Sequence, residues 1–209
     1  MLSVRAVIFD MYQTLVANPE EGWLNLFEEI CSAQSLTVDH VDLYREWKKL
    51  EVQFRRTRQN FEEPEKSPPF KSYEHAWRDC FMQVFNEMGL KGDASVAAKS
   101  AIKSMAIQDA FDDVPLALAS IQQQYSTAIL SNADRSFLTP LLRFHKIQYH
   151  FSVVLSSEDV MVYKPHPTPF RKILDLLGVS PMEAVYVGDA QEDDILGGKL
   201  AGMNTIWVN

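Results

Sequence analysis

The sequence predicts an α/β protein: a parallel five-stranded sheet flanked by helices, with a helical domain inserted after the first strand. Three observations predict it. Short apolar runs at 4–9, 126–132, 151–157, 183–189 and 204–209 have the length and character of buried strands. From 126 onward these runs alternate with helix-like segments, the pattern of a parallel sheet covered on both faces. From about residue 20 to 110 the spacing is helical and no such strand–helix alternation is present.

The elements follow in order. VRAVIF (4–9) is the first strand, and Asp10 ends it. In the insertion, WLNLFEEI, then Leu43, Trp47, Leu50 and Phe54, then Ala76, Cys80, Phe81, Val84, Phe85 and Met88 repeat at three- and four-residue steps, as amphipathic helices require. NFEEPEKSPPFKS (60–72), rich in Pro and charge, reads as a loop. STAILSN is the second strand, and RSFLTPLLRFHKI a helix that starts late or kinks at Pro140. FSVVLSS is the third strand, and PFRKILDLLGV a helix closed by Gly178. EAVYVGD is the fourth strand, EDDILGGKLAGM a helix and NTIWVN the last strand. The expected division is a core of 1–17 and 113–209 around an inserted domain of 18–112.

Composition excludes several classes. The 209 residues, 46% of them hydrophobic, suffice for one substantial domain with an inserted lobe. A net charge of −8 argues against nucleic acid and against anionic membranes. No apolar run approaches the roughly 18 residues of a membrane span. The first ten residues, MLSVRAVIFD, do not read as a secretory signal. The two cysteines, Cys31 and Cys80, fit a reducing compartment, so a cytoplasmic protein is expected. There is no CxxC and no Cys/His metal spacing.

In open parallel sheets, ligands bind at the carboxyl ends of the strands. Asp10 ends the first strand, Ser131 and Asn132 the second. Lys164, before Pro165, follows the third; Gly188 and Asp189 end the fourth, with Asp193 and Asp194 beyond. Each piece alone is an ordinary turn or helix cap. Four in order, at four successive strand ends, point to one crevice.

Asp10-x-x-x-Thr14, Ser131-Asn132, Tyr163-Lys164-Pro165 and Gly188-Asp189-x-x-x-x-Asp194 resemble the four motifs of the haloacid dehalogenase (HAD) superfamily, and the insertion resembles its C1-type cap. The resemblance implies a Rossmann-like core in which Asp10 is a nucleophile that forms a covalent aspartyl intermediate. It implies that Thr14 shapes the turn, that Ser131 and backbone N–H groups near Asn132 bind an anionic oxygen, and that Lys164 offsets the charge on Asp10. Asp189 would bind Mg²⁺ directly, with Asp194 supporting the ion from further out.

Tyr12 departs from the phosphatase pattern, which has Asp two residues after the nucleophile to protonate the leaving alcohol. A phenol of pKa about 10 is a poor substitute. Asp-x-Tyr-x-Thr is what the 2-haloacid dehalogenases of the superfamily have; a halide leaves without a proton, and Tyr12 would then wall the site. Asp189 points the other way, because those dehalogenases work without metal. Crowded carboxylates do not ionise together cheaply, and Mg²⁺ would relieve them. Tyr12 can still offer its backbone carbonyl, so the expected metal ligands are Asp10, Tyr12, Asp189 and Asp194.

The expected activity is therefore Mg²⁺-dependent hydrolysis of a small phosphorylated metabolite, with two alternatives: a metal-free 2-haloacid dehalogenase, and a non-catalytic binding or regulatory protein of the same fold. Substrate-binding residues are expected at Tyr12, at Arg45 in the cap, and at Phe170, where the dehalogenases carry a tyrosine. The partners expected are a small anionic substrate and, in a homodimer, a second copy; the alternative is a monomer. The cap would hinge near 16–20 and 108–114, with the loop at 64–70 over the entrance.

Overall fold

The computed structural model describes residues 3–60, 63 and 66–208. The chain forms two compact units, Met1–Ala17 with Gln108–Asn209, and Asn18–Ile107.

The first unit is built on five parallel strands: β1 (Ala6–Phe9), β2 (Ser126–Ser131), β3 (Val153–Ser156), β4 (Ala184–Gly188) and β5 (Asn204–Trp207), in the order β3-β2-β1-β4-β5. Phe9 is level with both Ile129 and Val187, and Ser131 with Ser156. That register brings the carboxyl ends of β1, β2 and β4 side by side. Among the described residues, the α-helices of this unit, numbered after the four of the insertion, are α5 (Val114–Ile121), α6 (Arg135–Phe144), α7 (Ser157–Val160), α8 (Pro167–Leu177) and α9 (Gly197–Leu200). Ile8, Leu130, Leu155, Ile173 and Tyr186 are among the residues of the core under the sheet.

Three local features differ from the sequence expectation. The short apolar α5 was not foreseen, since eight residues give periodicity too little length to declare itself. The helix after β2 does not start late: α6 begins at Arg135 and runs through Pro140. Pro140 and Ser136, whose carbonyl loses the missing N–H, are both exposed, so water replaces the lost bond at small cost. After β4 the chain makes one π-helical turn, Gln191–Leu196, before α9. The N–H groups of Asp194 and Ile195 both donate to the Ala190 carbonyl, at 2.9 and 3.1 Å.

The turn after β1 is tightly specified. Leu15 and Val16 both donate to the Met11 carbonyl, and Gln13 takes a left-handed φ of 63°. Only a short polar excursion tolerates that backbone cheaply. The chain then pairs with its own return: Ala17 donates to Asp109, Phe111 to Leu15, and Val16 bridges Ala110.

The second unit contains α1 (Glu20–Ala33), α2 (His40–Thr57), α3 (Tyr73–Glu87) and α4 (Ala94–Met105). The starts of three are capped by side chains: Asp39 accepts from Val41 and Asp42, Ser72 from His75, and Asp93 from Ser95 and Val96. Its interior is aromatic. Trp47, fully buried, lies with ring centroids 5.2 Å from Trp23, 5.3 Å from Phe27 and 5.3 Å from Phe81. Cys31 and Cys80 are buried free thiols. Of the loop expected at 64–70, residues 64 and 65 lie outside the described residues. Among the described residues no helix is long and apolar enough to cross a membrane.

Candidate active site

The end of β1 delivers Asp10 into a buried polar network. Its carboxylate accepts from Lys164 Nζ at 2.7 Å. The same ammonium donates to Asp194 at 2.6 Å and lies 3.1 Å from the Leu130 carbonyl and 2.7 Å from the Tyr186 hydroxyl. Lys164 is 2% exposed and Asp194 1%. A buried ammonium is costly without partners, and four polar neighbours around three N–H groups supply them. Tyr186 in turn donates to Leu130 O at 2.7 Å, fixing the ring over the strands.

Asn132 ties three loops together. Its amide oxygen accepts from Lys164 N at 2.8 Å and from Ser157 Oγ at 2.5 Å. Its amide nitrogen donates to Asp193 at 3.0 Å and to Lys164 O at 3.3 Å. The side chain thus sets the height of the Lys164 loop relative to β2. Ser131 is buried, with its hydroxyl accepting from Ala133 N at 3.3 Å.

The π turn explains the approach of Asp194. The turn aims its carboxylate back at β4, where Oδ2 accepts from Ala190 N at 3.0 Å. Gly188 leaves the room, since a Cβ there would overlap the Asp194 carboxylate. Asp189 is half-buried and accepts from Thr14 Oγ1 at 3.4 Å, while its carbonyl accepts from Trp207 Nε1 at 2.8 Å.

One oxygen each from Asp10, Asp189 and Asp194 lies within 4.8 Å of the others. Burial pushes the Asp10 carboxyl up to about 7; Lys164 opposes the shift and Asp194 adds to it. Burial, with Asp194, also raises Asp189. When all are ionised, three carboxylates against one ammonium leave two negative charges unmatched. That is the charge of one divalent cation, and hard carboxylate oxygens are the donors Mg²⁺ prefers. The residues present therefore fit such an ion.

Tyr12 sits beside this network, its ring 5.8 Å from Phe137. Burial, and then Asp10, hold its phenol well above the ordinary value of 10, so it stays protonated. Arg45 belongs to the other unit, on α2, where it pairs with Asp42 at 2.6 Å. Phe170 is corrected: it is fully buried in the core, its ring 5.3 Å from Tyr186, and it shapes no binding surface. A phenylalanine there is packing, and Gly197 is what leaves it space, since a Cβ would strike the ring. Tyr186 was missed as a member of the site. The signal was present: a tyrosine inside a strand buried on both faces must find a partner for its hydroxyl.

The family model described as haloacid dehalogenase-like hydrolase matches residues 7–208. This chain belongs to that family. Curated relatives of this haloacid dehalogenase-like hydrolase include the pyrophosphatase PpaX of Bacillus cereus, 40% identical over 88 residues, which are 42% of this chain and 40% of the relative. The N-acylneuraminate-9-phosphatase of Mus musculus is 34% identical over 99 residues, 47% of this chain and 40% of that one. The match thus spans less than half the length of these curated relatives.

Solved structures share the fold over nearly the whole chain. The HAD-hydrolase YfnB of Bacillus subtilis, bound to magnesium, superposes with a TM-score of 0.83 at 19% identity, covering 99% of this chain and 89% of that one. The L-2-haloacid dehalogenase of Xanthobacter autotrophicus gives 0.75 at 22% identity, covering 98% and 77%.

Proposed function

We propose that this chain hydrolyses a small phosphorylated molecule with Asp10 as nucleophile and Mg²⁺ as cofactor. The observation that carries the reading is the gathering of Asp10, Asp189 and Asp194 around a single buried ammonium. A nucleophilic carboxylate gains nothing from two acidic neighbours unless a cation is meant to join them. The curated phosphatases among the relatives agree with it.

In this reading Asp10, Asp189 and Asp194, with the Tyr12 backbone carbonyl, hold the ion. When bound, it supplies positive charge against the charge that develops on the transferred group. An Asp10 oxygen attacks phosphorus, and the bond from phosphorus to the leaving oxygen breaks, that oxygen keeping the electron pair. Water then attacks the phosphoryl group, the aspartyl–phosphate bond breaks, and inorganic phosphate departs with Asp10 restored. Ser131 and the N–H groups after it receive a phosphoryl oxygen, and Lys164 holds Asp10 in line. Tyr12 gives no proton to the leaving group, so either the group departs readily without one, as from an acyl phosphate, or turnover is modest.

A second reading, 2-haloacid dehalogenation, is favoured by one observation: Tyr12 stands against Phe137 as an apolar wall. There Asp10 attacks carbon, the carbon–halogen bond breaks and the halide departs with the pair. Asp189 counts against it.

The test is intact-protein mass spectrometry after incubation with acetyl phosphate and Mg²⁺, or with 2-chloropropionate. Addition of one phosphoryl group at Asp10, absent in Asp10→Asn, is the expected result. Alkylation of Asp10 by the haloacid instead would establish the second reading, and no labelling by either would leave a binding protein. Tyr12→Asp should raise Mg²⁺-dependent phosphatase activity; no gain counts against the phosphatase reading.

A further inference from the structure

The π-helical turn after β4 sends two consecutive carboxylates to two different parts of one loop. Asp194 reaches the Lys164 ammonium at 2.6 Å, and its neighbour Asp193 accepts from Asn132 Nδ2 at 3.0 Å. Asn132 carries that grip on to the Lys164 main chain, accepting from its N–H at 2.8 Å and donating to its carbonyl at 3.3 Å. Lys164 is thus held at its side chain by one residue of the turn and at its backbone, through Asn132, by the residue before. The oxygen end of the Asn132 amide is held from β3. Ser157, fully buried, donates to Asn132 Oδ1 at 2.5 Å, and Ser156, level with Ser131, donates to the Ala133 carbonyl at 2.5 Å. The groups facing Asn132 permit one orientation of its amide. Lys164 N and Ser157 present protons to the oxygen, while the Asp193 carboxylate and the Lys164 carbonyl only accept and so require the nitrogen. The mechanism proposed above uses neither Ser157 nor Asp193.

We infer that Ser157 and Asp193 are positioning residues, a two-ended clamp on Asn132 that fixes the loop at 131–133 and Lys164 for the reaction at Asp10. The inference rests on the reading of Asp10 as the nucleophile. The clamped loop carries Ser131 and the N–H groups after it, donors that stabilise developing charge only if they are in place beforehand. Asn132 by itself is a poor anchor, because the terminal torsion of a side-chain amide is broad. With a hydroxyl on its oxygen and a carboxylate on its nitrogen, the amide plane is set from both ends. Release of either end leaves the substrate's own contacts in place but lets the loop and Lys164 drift relative to Asp10. Such a loss lowers kcat and leaves KM nearly unchanged.

The experiment compares the wild type with Ser157→Ala, Asp193→Ala and Asp193→Asn, each also made together with Asn132→Ala, by two readouts. Hydrogen exchange of the Lys164 N–H needs no substrate. It should quicken about tenfold in both alanine variants and stay near the wild type in Asp193→Asn, whose amide oxygen still accepts. The Asp10 N–H, bonded to the Val187 carbonyl at 2.9 Å, should be unchanged throughout. The second readout is turnover of acetyl phosphate with Mg²⁺. Each alanine variant should lower kcat about tenfold with KM within about twofold, and Asp193→Asn should restore most of it. Beside Asn132→Ala the same substitutions should add almost nothing, since no amide remains to be clamped. A wild type inert toward acetyl phosphate would overturn the proposed reaction alone; the kinetic comparison then uses halide release from 2-chloropropionate, which the same Asp10 attacks. Unchanged Lys164 exchange in both alanine variants would overturn the clamp. So would an equal rise at the Asp10 N–H, losses in kcat fully additive with Asn132→Ala, or turnover of neither substrate.

Discussion

The two units bury opposite kinds of interior. Under the strand ends of the α/β unit, the buried side chains are an ammonium and, all bonded to it, two carboxylates and a phenol. In the helical unit the buried centre is Trp23, Trp47, Trp77, Phe27 and Phe81, edge to face and offset. The first arrangement is directional: each group is stable only while its partner is in place. The second is held by contact area, which is tolerant of detail. The difference teaches where function can reside. A carboxylate with its charge only partly matched is poised to bind a cation or to attack; a packed tryptophan is neither.

Substitutions sharpen that contrast. Lys164→Ala carries the largest expected effect, because it leaves Asp10 and Asp194 buried without their cation. Loss of one partner of a buried pair costs about 3–5 kcal/mol, read as a drop in urea midpoint at neutral pH. Adding Asp194→Asn should recover part of the loss; a double variant less stable than the single one would break the electrostatic account.

Tyr186→Phe comes next. It deprives Leu130 O and Lys164 of one partner each while keeping the ring against Phe170, at a cost of about 1–3 kcal/mol. An unchanged urea midpoint would show that the phenol is not part of the network.

Trp47→Phe is the smallest of the three. The Trp47 indole N–H is buried without a hydrogen-bond partner among the described residues, so no polar bond is lost. The smaller ring leaves a cavity, but it also removes an N–H whose burial without a partner was itself costly, so the net loss should stay below that of Tyr186→Phe. A loss exceeding that of Tyr186→Phe would reverse the comparison between the units.

The same contrast governs what the sequence made legible. The strands and the ends that carry Asp10, Ser131, Lys164 and Asp189 were readable because short apolar runs and turn residues are local signals. Gly178 closes α8 at a φ of 64°, as its place after an apolar period implied. The turn after β4 was not readable as π-helical, because its one extra residue serves the long-range approach of Asp194 to Lys164 rather than any local preference. Phe170 was misread for a similar reason: its surroundings come from Tyr186 and Gly197, which lie 16 and 27 positions further on in the sequence.

The central claim is that Asp189 belongs to a Mg²⁺ site. Titration calorimetry with Mg²⁺ on the wild type and on Asp189→Ala tests it most directly. The account predicts saturable binding of one ion in the wild type and its loss in the variant. Absence of binding in the wild type, together with halide release from 2-chloropropionate, would contradict it and make Tyr12 the better guide to the chemistry.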